Sequence, residues 1–309
     1  MTTENRYACI DDTWNRGRDP WEQEAAYEEL LQVAEKYPCG EWNQVIARKL
    51  KRPVLFTFSH LRENLVNWLP IGPKDRILEI GSGCGEITGA LSRAAKEVVC
   101  VERSLKKSRI NALRNGASGN VHIFVGIWQD LLMRIPGSFD YVFLAGSFAD
   151  AGALMHGEDP HEELLKSLAG FLNPHGRIVI AIENRLGLKY WAGCREEHTD
   201  RYFAGLEGFD GAGNRRTFSR RELSELIGRA GRFKTEFYYP CPDHVFPTEI
   251  FSDRYLPKPG ELKGSYRNFD RERMLLFDEQ KVMDSLIGSG LFGEFANSFL
   301  VVLEKEGAE

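Results

Sequence analysis

Residues 76–86 read RILEIGSGCGE, an apolar run with a carboxylate two residues before the first of three glycines at every second position. Gly81, Gly83 and Gly85 free the backbone for unusual φ values and remove every Cβ that would keep a ligand at a distance. A turn of this kind closes the first strand of an open parallel sheet, at the carboxyl edge where such sheets bind their ligands. The segment after the turn is expected to be a helix whose first N–H groups favour an anionic group. A dinucleotide fingerprint asks for G-x-G-x-x-G, whereas position 86 is Glu, an acid that a pyrophosphate would meet unfavourably. One helix and one strand further on, Glu102 ends EVVCVE, where a carboxylate can accept hydrogen bonds from both hydroxyls of a ribose. Its plainer alternative is a solvated residue opening a loop.

The elements that must hold these residues follow from the hydrophobic pattern. RILEI, EVVCV, VHIFV, DYVFLA and GRIVIAI read as strands, with helical segments at 86–95, 104–115 and 160–171 between several of them. Strand–helix alternation implies a parallel sheet covered on both faces. Upstream, 20–37 and 58–69 have apolar residues at helical spacing. Downstream, 184–216 is rich in Gly, aromatic and charged residues and reads as a long loop or lid. A helix at 219–230 has Ser219 and Glu222 at capping-box spacing. A strand at 233–239, an irregular Pro-rich stretch at 240–268, a helix at 270–287 and a last strand, NSFLVVLEK, complete the chain.

The whole chain sets bounds. Its 309 residues are 42% hydrophobic and 28% charged, ordinary for a globular protein with a sizeable core, and its net charge of −5 argues against broad nucleic-acid binding. Six dispersed cysteines without a C-x-x-C pair suit a reducing compartment, and no Cys/His spacing predicts a metal. The start lacks a signal-peptide core, and no apolar run is long enough to span a bilayer, so a cytoplasmic protein is expected.

The glycine turn with Glu79 before it and Glu102 after the next strand resembles the first motifs of the class I S-adenosylmethionine (SAM)-dependent methyltransferases. The resemblance covers roughly residues 60–305. Its longer strings, SHLRENLVNWLP, AIENRLGLKYWAG, EEHTDRYFAGLEGF, RTFSRRELSELI and YYPCPDHVFPTEIFSD, are similar to a bacterial subgroup associated with cell-surface polysaccharide gene clusters. It implies a Rossmann-like, doubly wound α/β fold with a seven-stranded, mostly parallel sheet, an N-terminal helical extension at 1–56, a methyltransferase domain at 57–305 and insertions near 184–216 and 240–295. It implies SAM as cofactor, held by Glu79, Gly81, Ser82, Gly83, Gly85, Glu102 and Arg103. Ile127 or Trp128 would pack on the adenine, and Gly146 would lie by the methionine end. After that glycine the chain has Ser147-Phe148-Ala149-Asp150, where the family often has an apolar-Glu-Tyr sequence, so an acceptor role is not carried to this turn.

Methyl transfer from a sulfonium needs alignment and exclusion of water, and needs a base only for an acceptor that keeps its proton at neutral pH, such as an alcohol. His198, among Glu196, Glu197 and Asp200, is one candidate base, with a surface histidine as the alternative. His244, beside Asp243 in PCPDHVFPTE, is the other, with a structural hydrogen bond as the alternative. Asn184, Tyr190, Trp191 and Asp243 are candidate substrate contacts; the aromatic residues serve equally well to hold a long loop down. Arg215, Arg216, Arg220 and Arg221 either grip a phosphate or simply pair with acids. The expected activity is methylation of a small molecule or glycan, at oxygen. Peptide, protein or nitrogen methylation, an NAD-dependent oxidoreductase and a non-catalytic scaffold of the same fold are the rivals. Residues 1–50 read as a cap over the site or a homodimer contact.

Overall fold

The computed structural model describes residues 7, 9–15, 24–196, 199–209, 215–262, 274 and 276–306. The chain divides into two compact units, one of residues 1–144 with 171–176 and one of residues 145–170 with 177–309.

The first unit carries strands β1 (Ile10–Asp11), β2 (Arg76–Ile80), β3 (Glu97–Glu102), β4 (Val121–Val125) and β5 (Phe139–Ala145, whose last residue falls beyond the division). All their pairings are parallel: β1 with β4, β4 with β3, β3 with β2, and β2 with β5. β2 and β3 are almost wholly buried, as expected of strands covered on both faces. The register sets Glu79 opposite Cys100 and Glu102 opposite Val125, so both acids lie at or near the carboxyl ends of their strands.

Helices α1 (Ala25–Lys36), α2 (Trp42–Lys49), α3 (Arg52–Phe58), α4 (Thr88–Ala94), α5 (Leu105–Asn115) and α6 (Trp128–Leu131) belong to this unit. Leu30 and Val33 of α1, Val45 of α2, and Val54 and Phe58 of α3 form one apolar core with Ile110 of α5 and Cys84 of the glycine turn. The helix expected at 58–69 lies earlier and is interrupted. Pro53 opens α3, and Ser59 is extended, its hydroxyl accepting from Leu61 N to start a 3-10 turn over His60–Leu65.

The second unit carries β6 (Leu172–Glu183, its 177–183 part), β7 (Phe233–Cys241), β8 (Glu249–Ser252) and β9 (Ser298–Lys305), paired antiparallel as β6 with β9, β9 with β7, and β7 with β8. Its helices are α7 (Ala151–Leu154), α8 (Pro160–Ala169), α9 (Leu188–Trp191), α10 (Arg220–Ala230), α11 (Glu279–Gly288) and α12 (Phe292–Phe295). The capping box of α10 forms as its sequence predicts, with Ser219 and Glu222 exchanging side-chain and backbone bonds. The expected α/β fold is present with nine strands among the described residues rather than seven. The extra two are the short β1 and β8, paired with β4 and β7 respectively. Among the described residues no helix is long and apolar enough to cross a membrane, and no cluster of metal-ligating side chains forms.

Candidate functional site

The glycine turn is built as its composition requires. Gly81, Gly83 and Gly85 have φ of 71°, 56° and 78°, the left-handed region that penalises any residue with a Cβ. Gly85 is also sterically pinned: a Cβ there would overlap Asn111 Oδ1 and stand 2.5 Å from Asn115 Nδ2. Those two amides form a small network, with Asn115 Nδ2 donating to Gly85 O at 3.1 Å and Asn111 Nδ2 donating to Thr88 Oγ1 at 3.2 Å. Thus α5 grips the turn from behind. Sequence reasoning did not single out Thr88, Asn111 or Asn115; an Asn pair four residues apart on a helix was the available signal.

Glu102 sits at the centre of the arrangement. It is 5% exposed, and its Oε2 accepts from Gly83 N at 2.8 Å while its Oε1 accepts from Ser104 N at 3.0 Å. Ser104 in turn caps α5 by accepting from Lys107 N. Each carboxylate oxygen uses one of its two acceptor directions on the protein and keeps the other, which is the donor demand of a ribose diol. Glu102 is therefore a fixed acceptor joined to the glycine turn, and not a solvated residue opening a loop.

Glu79 is placed differently. It is 2% exposed, and its Oε2 accepts from Thr88 Oγ1 at 2.7 Å and from Cys100 Sγ at 3.5 Å. Burial pushes its carboxyl up to about 8, outweighing those bonds, and the Glu86 and Glu102 charges add to the rise. A neutral carboxyl at pH 7 ties the end of β2 to the start of α4. The helix itself begins at Thr88 and has seven residues.

Other candidates in this unit divide sharply. Trp128 has no exposed surface and meets Phe171 edge-on at 5.1 Å, so its ring belongs to the core and not to an adenine pocket. Ile127, at the N-cap of α6, is half-buried and remains able to contact a base. Ser82 is buried within the turn, and Arg103 is half-buried beyond β3. The donor set fits a SAM-like ligand: a spare acceptor pair for a vicinal diol, a bare glycine backbone for close approach, and one apolar residue for a flat ring.

The second unit gathers a separate polar cluster. His244 is 4% exposed and lies with its Nε2 3.8 Å from Glu183 Oε1 at the end of β6. Its Nδ1 is buried and has no hydrogen-bond partner among the described residues. A Cβ added to Gly146, which has φ 89°, would stand 3.9 Å from Nε2. Asp243 Oδ1 accepts from Val245 N at 2.8 Å, and its Oδ2 faces buried Lys189 Nζ at 3.9 Å. Asn297 fastens both loops, accepting from Lys189 N and donating to Pro242 O. Glu183 and Lys189 were not anticipated; the one hint was a charged residue closing the apolar run IVIAI.

Two expected substrate contacts are corrected. Asn184 is fully buried, its amide nitrogen donating to Glu294 O and Ala296 O, both at 2.8 Å, while its oxygen accepts from Leu186 N at 3.0 Å. It clamps the backbone. Tyr190 is 1% exposed and packs in the core, while Trp191 is 45% exposed and donates from Nε1 to Leu186 O. The arginines pair with acids: Arg215 with Asp150, Arg216 with Glu222, Arg220 with Asp253 and Arg221 with Glu225. His198 lies outside the described residues.

Residues 78–180 match the family model of a methyltransferase domain. A 23S rRNA (uracil(1939)-C(5))-methyltransferase of Photobacterium angustum is 32% identical over 98 residues, 30% of this chain and 44% of that protein, so the chain spans less than half the length of this relative. A probable cobalt-precorrin-6B C(15)-methyltransferase (decarboxylating) of Saccharolobus solfataricus is 26% identical over 156 residues, 45% of this chain and 71% of that protein. The structure of Haemonchus contortus phosphoethanolamine N-methyltransferase 1, in complex with phosphoethanolamine and S-adenosylhomocysteine, covers 100% of this chain with 51% of its own length, at 12% identity and a TM-score of 0.50. The chain thus has the Rossmann-like fold of class I methyltransferases, and its residues 78–180 are similar to a methyltransferase domain.

Proposed function

We propose that the protein is a SAM-dependent methyltransferase that methylates a hydroxyl oxygen of a small-molecule or glycan acceptor in the cytoplasm, the glycan reading resting on the resemblance to polysaccharide-cluster enzymes. The observation that carries the cofactor half is Glu102, fixed by Gly83 N and Ser104 N with one acceptor direction free on each oxygen. When bound, SAM supplies a methyl group on a sulfonium whose positive charge is lost on transfer. The chain's own contributions are to seat the ribose on Glu102, to let the bare turn approach the ligand, and to take a proton from the acceptor. An alcohol requires that last step, and His244 is the base in this reading, because its buried Nδ1 has no hydrogen-bond partner among the described residues. Helices α1–α3, packed on Cys84 of the turn, act as a cap that stiffens the cofactor side.

Methyl-labelled SAM offered with panels of alcohols and sugars, amines, carboxylates, peptides and RNA tests the reading. Label should appear on hydroxyl oxygen, and His244→Ala should slow that transfer by about 10²-fold or more. His198→Ala in the same assay separates the two histidine candidates. Label confined to amines, peptides or RNA would replace the acceptor half.

A further inference from the structure

Resting on the hydroxyl-acceptor reading, we infer that Glu183 is a positioning residue that holds His244 as its Nε2–H tautomer, so that Nδ1 is the atom that receives the acceptor's proton. The geometry is one-sided. A carboxylate only accepts, so the ring nitrogen facing Glu183 Oε1 is the one that carries hydrogen. That nitrogen is Nε2, at 3.8 Å, a charge-pair distance that a bound acceptor can tighten to a hydrogen bond. The hydrogen on Nε2 leaves Nδ1 with its lone pair, and Nδ1 is the buried nitrogen with no hydrogen-bond partner among the described residues.

The two side chains are only 5% and 4% exposed, so their attraction is weakly screened by solvent. The other charged groups of this cluster are the neighbouring Asp243 and, 3.9 Å from its Oδ2, Lys189. Gly146, whose added Cβ would stand 3.9 Å from Nε2, adds no charge and no bulk beside that nitrogen. Asp243 is turned to its own loop, where Oδ1 accepts from Val245 N and Phe246 N, which leaves Glu183 as the acid that faces the ring.

The step balances without a further reagent. The acceptor's O–H bond breaks and its proton passes to Nδ1. The freed oxygen pair forms the bond to the methyl carbon, and the C–S pair stays on sulfur. The imidazole becomes an imidazolium whose Nε2–H points at the Glu183 carboxylate, so the positive charge arises where a negative one is already fixed.

Nitrogen-15 spectroscopy of the histidine ring, with kinetics on Glu183→Met, Glu183→Gln and Glu183→Asp, tests this. The wild type should show a protonated Nε2 and a bare Nδ1 at His244. Glu183→Met, which keeps length and loses the acceptor, should give mixed tautomers and lower kcat at least tenfold, with KM for SAM within about threefold. Glu183→Asp should recover part of kcat. Should Glu183→Met fail to fold, Glu183→Gln removes the charge in the same shape and should lower kcat in the same sense. A wild-type proton on Nδ1, or a folded charge-removed variant with unchanged kcat, overturns the assignment. The spectrum needs no turnover, so a wild type that transfers no methyl to hydroxyls would sink the hydroxyl reading while the ring tautomer is still decided.

Discussion

Gly85 and Gly119 share φ +78° and differ in surroundings, which makes them a matched pair. A Cβ on Gly119 would meet nothing within 4 Å, whereas one on Gly85 would run into Asn111 Oδ1 and Asn115 Nδ2. Alanine at 119 therefore pays the left-handed backbone cost alone, about 1–2 kcal/mol. Alanine at 85 adds overpacking of about 1–3 kcal/mol, because the two amides are bonded to each other, to Thr88 and to Gly85 O and cannot withdraw freely. The expected totals are roughly 2–5 kcal/mol for Gly85→Ala against 1–2 for Gly119→Ala. At about 2–4 °C per kcal/mol, thermal unfolding should separate the two by at least ~2 °C. Calorimetric titration with SAM supplies the second readout: Gly85→Ala should bind it at least tenfold more weakly, and Gly119→Ala should bind as the wild type does. Equal melting temperatures and equal affinities would refute the argument that α5 pins this turn for ligand approach.

Two further outcomes follow from buried polar groups. The Glu79 carboxyl has an ordinary value of 4.5 and lies near 8 when folded, so the folded state holds an extra proton between those values and its stability falls as pH rises across that window. Glu79→Gln, which cannot ionise, should match the wild type near pH 4.5 and exceed it by roughly 2–5 kcal/mol at pH 9; parallel stability–pH curves would show that the carboxyl titrates normally. Asn184→Ala strands two backbone carbonyls and one N–H, and should cost about 2–5 kcal/mol in thermal unfolding; a loss below about 1 kcal/mol would mean the clamp is replaceable.

What could be read from the sequence was whatever depended on local pattern. β2, β3 and β4 lie where alternating or continuous apolar runs put them, and the capping box of α10 was legible from Ser219 and Glu222 because both partners are three residues apart. Glu102 was legible because its distance from the glycines is set by one helix and one strand. The misreadings involve partners far apart in the chain. Asn184 binds carbonyls more than a hundred residues away, and Trp128 is closed off by Phe171. Neither sequence spacing nor residue type reports such a partner. The pairing of Glu183 with His244, sixty-one positions apart, arises in the same way from β6 and the loop after β7. Of the acids that pair with the arginine group, Glu222 and Glu225 were within reach of sequence spacing, whereas Asp150 and Asp253 come from other elements.

The central claim is that Glu102 and the glycine turn hold the adenosyl nucleoside, and calorimetric titration of SAM into the wild type and Glu102→Ala tests it most directly. The account predicts saturable binding to the wild type and a loss of about 1–3 kcal/mol, roughly 5- to 150-fold, in the folded variant. Undiminished affinity in Glu102→Ala, or no binding to the wild type at millimolar SAM, would contradict it.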